Sequence, residues 1–211
     1  MSNAARVATL VLLLSVWTPA SARAQSAWDA PMLMAPGAPA GWGIHLVDPN
    51  YGNGLGVLGM WRSAPAPVGL GFRLGLFEGA DDDLALVGGV DVSGTLHRGT
   101  DAAPFDVIWF AGAGLGIDDD ILLSLPLGIS AGWSFSEPGF AVRPYVAPRM
   151  VLDAYFDDDG PGPRRGNDDL DLDAAVEVGV DLAFSPRFAI RAAVSFGGRD
   201  ALSIGIAVPG R

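Results

Sequence analysis

The sequence predicts an all-β fold: a closed antiparallel transmembrane β-barrel of eight to ten strands, ten by count. Three observations carry that reading. From Leu170 to Phe184 every second residue is apolar (Leu170, Leu172, Ala174, Val176, Val178, Val180, Leu182, Phe184), and the residues between include Asp171, Asp173, Glu177 and Asp181. A period of two places one strand face in an apolar medium and the other in a polar one. The N-terminus reads as a secretory signal, and aromatic residues gather at the ends of the strand-like runs. A barrel that spans a membrane needs export, outward apolar parity and interfacial aromatic girdles.

Arg6 supplies a charged n-region, Val7–Val16 a short apolar core and Ala22-Arg23-Ala24 small residues around a cleavage point. Residues 1–24 are therefore expected to be a signal peptide cleaved after Ala24. The apolar run falls short of the roughly 20 residues a spanning helix needs. Residues 25–40 (QSAWDAPMLMAPGAPA) are rich in Pro and Ala and have no period, which predicts an irregular periplasmic lead-in. The barrel domain then covers residues 41–211. Its strand-like runs are about Trp42–Val47, Leu55–Arg62, Val68–Glu78, Leu84–His97, Val107–Ile117, Ile121–Phe135, Phe140–Phe156, Leu170–Phe184, Phe188–Phe196 and Ala201–Val208. Turn signals separate them: Ser136-Glu137-Pro138-Gly139, Ser185-Pro186-Arg187 and Gly197-Gly198-Arg199-Asp200 are tight, whereas Asp157–Asp169 is a long loop. The run Leu55–Arg62 is the weakest, because Val57-Leu58 and Met60-Trp61 leave its parity open; without the first two runs eight strands remain.

Alternating sides along the chain places the long loop and the triplets Asp81–Asp83, Asp118–Asp120 and Asp157–Asp159 on an external rim, with the tight SEPG and SPR turns on the periplasmic side. Trp133, Phe135, Phe140, Phe184 and Phe188 flank those two turns on outward parity, and Phe156 and Phe196 mark the opposite end. A soluble barrel would have no reason to collect aromatics there.

On a late run Arg143-Pro144-Tyr145-Val146 resembles the recurrent RPYV segment of the small outer-membrane barrels of OmpA/OmpX type. Phe188–Phe196 followed by Ala201–Val208 is similar to that family's final hairpin. The resemblance spans about Gly41–Val208 and is mostly pattern. Two departures are Ala147-Pro148-Arg149, where small glycine-rich residues are usual, and Pro209-Gly210-Arg211 in place of a terminal aromatic. It implies a bacterial outer-membrane location, contact with outer-membrane lipid and lipopolysaccharide, and insertion by the barrel-assembly machinery.

The chain carries 24 Asp plus Glu against 13 Arg and no Lys, so nucleic acid is not an expected partner. With no Cys, no disulfide forms. The inward parity collects Arg73, Asp91, Arg143, Tyr145, Arg149, Asp153, Glu177, Asp181 and Arg191, and the SPR turn puts Asp181 across from Arg191. These residues are expected to be structural, a salt-bridged plug in a narrow barrel. The Asp triplets offer oxygen ligands to divalent cations, but the spacing of a calcium loop is missing. Only His45 and His97 could act as imidazole bases, and neither sits in a triad-like pattern; His97 is read as a member of the lumen network. No catalytic, metal or cofactor site is expected, and Gly112–Gly116 lies in a strand rather than in a phosphate loop. The functional expectation is a structural or surface-interaction barrel. A small passive porin-like channel and a soluble periplasmic ligand carrier are its alternatives.

Overall fold

A computed structural model describes residues 28–49, 54–64, 67–78, 84–118, 121–156 and 170–210. The signal-peptide expectation, the triplets Asp81–Asp83 and Asp157–Asp159, and the rest of the long loop fall outside those residues; of Asp118–Asp120 only Asp118 is described.

All regular structure among the described residues is β. The strands are Gly41–Pro49 (β1), Gly56–Arg62 (β2), Val68–Glu78 (β3), Leu84–His97 (β4), Asp106–Ile117 (β5), Ile121–Gly132 (β6), Phe135–Glu137 (β7), Phe140–Phe156 (β8), Leu170–Ser185 (β9), Phe188–Gly197 (β10) and Ala201–Pro209 (β11). Consecutive strands pair antiparallel, except that β6 and β7 each pair with β8 and not with each other, and β1 also pairs with β11, so the sheet closes on itself. The ring has ten strands because β6 and β7 both lie against β8 in one unbroken register, Gly132 facing Tyr145 and Phe135 facing Val142. The single run expected over Ile121–Phe135 is thus split at Trp133-Ser134. Trp133 donates its amide to the Pro144 carbonyl at 3.1 Å, but Pro144 has no N–H to return.

Connections alternate between two mouths. One, the loop mouth, gathers the last residues of β1, β3, β5, β8 and β10; the other, the turn mouth, gathers the last residues of β2, β4, β7 and β9 together with the start of β1 and the end of β11. At the turn mouth Pro138-Gly139 joins β7 to β8, and Gly139 takes φ +85°, the position a type II turn reserves for glycine after a leading Pro. In the β9–β10 hairpin a bulge at Phe184 lets Phe188 face Ser185 while Ala189 faces Ala183, and Asp181 sits directly opposite Arg191.

The outer face is apolar along the full circuit. Ile44, Leu46, Leu74, Leu76, Leu127, Ile129, Val178, Ile204 and Ile206 are all exposed. In water such a surface would be an unusually large apolar patch; a hydrocarbon medium suits it. Around the turn mouth, ring contacts link Trp42, Trp61 and Phe72, then Phe105 and Trp133, then Phe140, Phe184 and Phe188, with centroid separations of 5.4–6.4 Å. Trp42, Trp61, Phe72 and Phe105 extend the girdle beyond the residues flanking the two tight turns. Phe156 and Phe196 are exposed near the loop mouth.

The ambiguous strand β2 turns Leu58 and Met60 inward, leaving Val57 outside. The segment preceding β1 departs from expectation. Residues 28–40 are irregular in conformation, but they do not hang below the barrel: Trp28, Asp29, Ala30, Met32, Leu33 and Met34 are buried inside it. The periplasmic placement is therefore corrected. Apolar Trp, Met and Leu side chains in an aperiodic stretch find shelter in the barrel interior.

Val178, halfway along β9, faces outward and is 51% exposed. Replacing it with Arg should lower the stability of barrel folded in lipid vesicles by about 2–4 kcal/mol, read from the urea midpoint. An unchanged midpoint would mean that this face does not meet hydrocarbon.

Candidate functional site

The site is the barrel interior, where strands present small and charged residues to the segment 28–40. That segment runs from Trp28 near the loop mouth to Ala40 at the turn mouth, where Gly210 donates its amide to the Ala40 carbonyl at 2.7 Å.

At the loop-mouth end the indole of Trp28 lies against a wall built of Gly89, Gly112 and Gly114. A Cβ on any of the three would fall 2.3–2.7 Å from the ring. Val47, Leu58, Phe77, Ala85 and Val87 surround the same ring, and Arg73 Cζ stands 5.8 Å from its centroid, a cation–π distance. Asp29 sits between two guanidinium groups, 3.5 Å from Arg149 Nε and 3.3 Å from Arg199 Nε. Arg199 also pairs with Asp153 and, at 3.4 Å, with Asp173. Burial alone would lower the Arg199 pKa, but Asp29, Asp153 and Asp173 outweigh it and hold the pKa above its ordinary value.

In the middle, Glu177 binds the backbone of the segment. Its two carboxylate oxygens accept the consecutive amides of Met32 (2.5 Å) and Leu33 (2.7 Å), with Leu33 at φ 54°. Successive amides turned to one side form an anion-binding nest. Glu177 also accepts from the Tyr145 hydroxyl at 2.6 Å and pairs with Arg149 at 3.3 Å. From the opposite wall Asp91 aligns two arginines, each 3.2 Å away. Arg73 donates to the carbonyls of Pro31 (3.1 Å) and Met32, and Arg62 to those of Leu33 (2.9 Å) and Met32 (3.3 Å). The peptide groups of residues 31–33 are thus held through their amides on one side and their carbonyls on the other.

Toward the turn mouth Asp181 bridges Arg143 at 2.7 Å and Arg191 at 2.6 Å, and Arg191 donates to the Pro39 carbonyl at 3.2 Å. Met32, Met34 and Ala35 pack on Ile108, Phe110, Tyr145 and Ala147. Leu33 packs on Met60 and Ala193.

Arg73, Asp91, Arg143, Tyr145, Arg149, Asp153, Glu177, Asp181 and Arg191 face the interior. They form separate groups: Arg73 with Asp91, Arg149 with Glu177 and Tyr145, and Asp181 with Arg143 and Arg191. Asp153 joins Arg199 instead of another member of that set. Parity reasoning missed Arg62, Arg199, Asp29 and Trp28. The parity of β2 hid Arg62, and a turn position hid Arg199. Trp28 and Asp29 belong to the lead-in, whose one available signal was apolar bulk unusual for a solvated linker. His97 departs from the expected network; it meets the Ala103 carbonyl at 3.4 Å and the Phe105 ring within its own connection. His45 is buried in the wall, its ring over Gly43 and Gly205. Among the described residues no group of His, Asp and Glu has the geometry of a metal site.

The fold and interior define a closed antiparallel barrel, apolar outside and charged inside. No family model matches the chain, and no curated protein matches it. Among solved structures it is similar to a barrel described as "De novo design of transmembrane beta-barrels", at 15% identity and TM-score 0.36, covering 83% of this chain and 98% of that one. It is also similar to the KdgM porin, at 7% identity and TM-score 0.41, covering 81% of this chain and 99% of that one.

Removing Asp181 leaves two largely buried guanidinium groups facing each other. Asp181→Ala should destabilise the folded barrel in vesicles by about 3–5 kcal/mol. The double variant Asp181→Leu/Arg191→Leu should recover part of that loss. Losses of Asp181→Leu and Arg191→Leu that simply add in the double variant would show that Asp181 and Arg191 are not coupled.

Proposed function

We propose that this protein is a bacterial outer-membrane barrel with a structural or surface-interaction role, its lumen closed by the salt-bridge network and by the segment that network holds. The observation that carries the reading is the pairing of the inward charges. Asp181 lies between Arg143 and Arg191, Glu177 is held by Arg149 and Tyr145, and Asp91 lies between Arg62 and Arg73. A conducting pore would leave charges along an aqueous path. Here they are spent on one another and on the backbone of residues 31–39. The apolar belt and aromatic girdle support placement in a bilayer, with lipid and lipopolysaccharide as surroundings.

In this reading the chain reaches the outer membrane by a cleaved signal peptide and inserts through the barrel-assembly machinery, as the OmpA/OmpX-type barrels it resembles would. In the same reading the acidic residues between β8 and β9 provide the surface for interaction, their carboxylates being candidate ligands of divalent cations. The role is non-catalytic. A small porin-like channel is the second reading. It is favoured by the strand number, since a ring of ten encloses more space than the eight-stranded barrels whose interiors side chains alone can fill.

The test is migration of the folded protein on gels with and without boiling, followed by planar-bilayer recording. The reading predicts a boiling-dependent shift without discrete conductance steps. Steady steps from the full chain would favour the channel, and a protein folded and soluble without detergent would exclude the membrane.

A further inference from the structure

We propose that the barrel lumen is a binding site for a peptide in an irregular, turned conformation, occupied in cis by residues Trp28–Pro39. The inference rests on the closed-lumen reading and names what the lumen recognises. Four features of the interior are those of a peptide receptor. Backbone groups are addressed directly: amides 32 and 33 by Glu177, carbonyls 31 to 33 by Arg73 and Arg62, and carbonyl 39 by Arg191. Such contacts favour a backbone that adopts the same turn at residues 32 and 33, and side-chain pockets then select among sequences.

Those pockets are present. The wall glycines 89, 112 and 114 form a flat seat filled by the Trp28 indole. If the interior merely needed filling, larger side chains on the strands would do so without glycine's entropic cost. Next to the seat, Arg149 and Arg199 flank a single carboxylate, that of Asp29, in a fully buried position. Below it, Met60 and Ala193 receive Leu33. The ligand class is therefore a peptide that presents Trp-Asp followed, a few residues on, by a Met-Leu pair at a turn in the backbone.

The segment joins the wall through Ala40-Gly41, so it is a tethered ligand. A short flexible tether holds its ligand at an effective concentration of about millimolar. A free peptide competes only when the tethered copy is weakened, and the full chain permits this without truncation. In Trp28→Ala/Asp29→Asn the two side-chain anchors nearest the loop mouth are lost, while the backbone contacts of residues 31–33 and 39 and every strand residue of the site remain.

The experiment uses full-length wild type and this variant folded in detergent, each shown to be folded by its boiling-dependent gel shift. The probe is a fluorescent synthetic peptide of sequence WDAPMLMAPGAP, followed by anisotropy. The variant should bind it saturably and about tenfold or more tightly than wild type does, and a peptide with Ala in place of Trp should bind the variant about tenfold more weakly. No saturable binding to either protein, or equal binding of a scrambled peptide, would overturn the proposal. If the double variant does not fold, Asp29→Asn alone serves, since the substitution keeps shape and removes only the charge; the same preference over wild type is expected, and its absence is equally fatal. Conductance of the full-length wild type is recorded in parallel. Steady current there would refute the closed lumen, while peptide binding would still decide the receptor.

Discussion

A ring of strands in hydrocarbon must turn its polar side inward, and that one constraint shapes everything within this barrel. The backbone satisfies itself by closing β1 onto β11, because an open sheet edge in lipid would leave amides and carbonyls without partners. The side chains cannot follow so simply. Much of the inner face consists of glycine, alanine and serine, such as Gly43, Gly71, Gly89, Ala175, Ala193, Ser203 and Gly205, and a ten-stranded ring leaves more space than such residues fill. The interior is completed by a stretch of chain that belongs to no strand. Trp28, Met32, Leu33 and Met34 supply the missing volume, and peptide groups 31–33 supply partners for the wall's charges.

The charges make the arrangement specific. A carboxylate taken out of water loses more than a single partner restores, and the loss is offset only where several good contacts converge. Glu177 illustrates this: two amides, one phenol and one guanidinium surround it. Asp91 and Asp181 each hold two arginines, and three of the four, Arg62, Arg73 and Arg191, continue into carbonyls of the segment. Wall and segment therefore share one polar network. Apolar contacts tune the fit, with indole on glycine at the loop mouth and methionine on Phe110 and Tyr145 nearer the turn mouth.

How much of this could be read from residues alone follows from where period-two order exists. Strand β9 alternates without ambiguity, so Glu177 and Asp181 were placed inward, and the short turn at Ser185-Pro186-Arg187 set Asp181 against Arg191 despite the bulge at Phe184. In β2, adjacent apolar pairs obscure the parity, and Arg62 went unseen although it does the same work as Arg73. The break at Trp133 depends on a proline in the neighbouring strand, so its cause lies across the sheet from its effect. Residues 28–40 have no period at all. Their position is dictated by the shape and charge of the far wall, by Gly114 under Trp28 and by Glu177 under Leu33, which local sequence does not express.

The central claim is that the peptide groups around Met32 and Leu33 are structural partners of Glu177 deep within the barrel. Amide hydrogen exchange of the full-length protein folded in micelles tests it most directly, because exchange reports the opening of individual backbone hydrogen bonds. The account predicts that the Met32 and Leu33 amides exchange as slowly as those in the middle of β9 and β10. Exchange at the rate of an unstructured peptide, with the strands still protected, would contradict it.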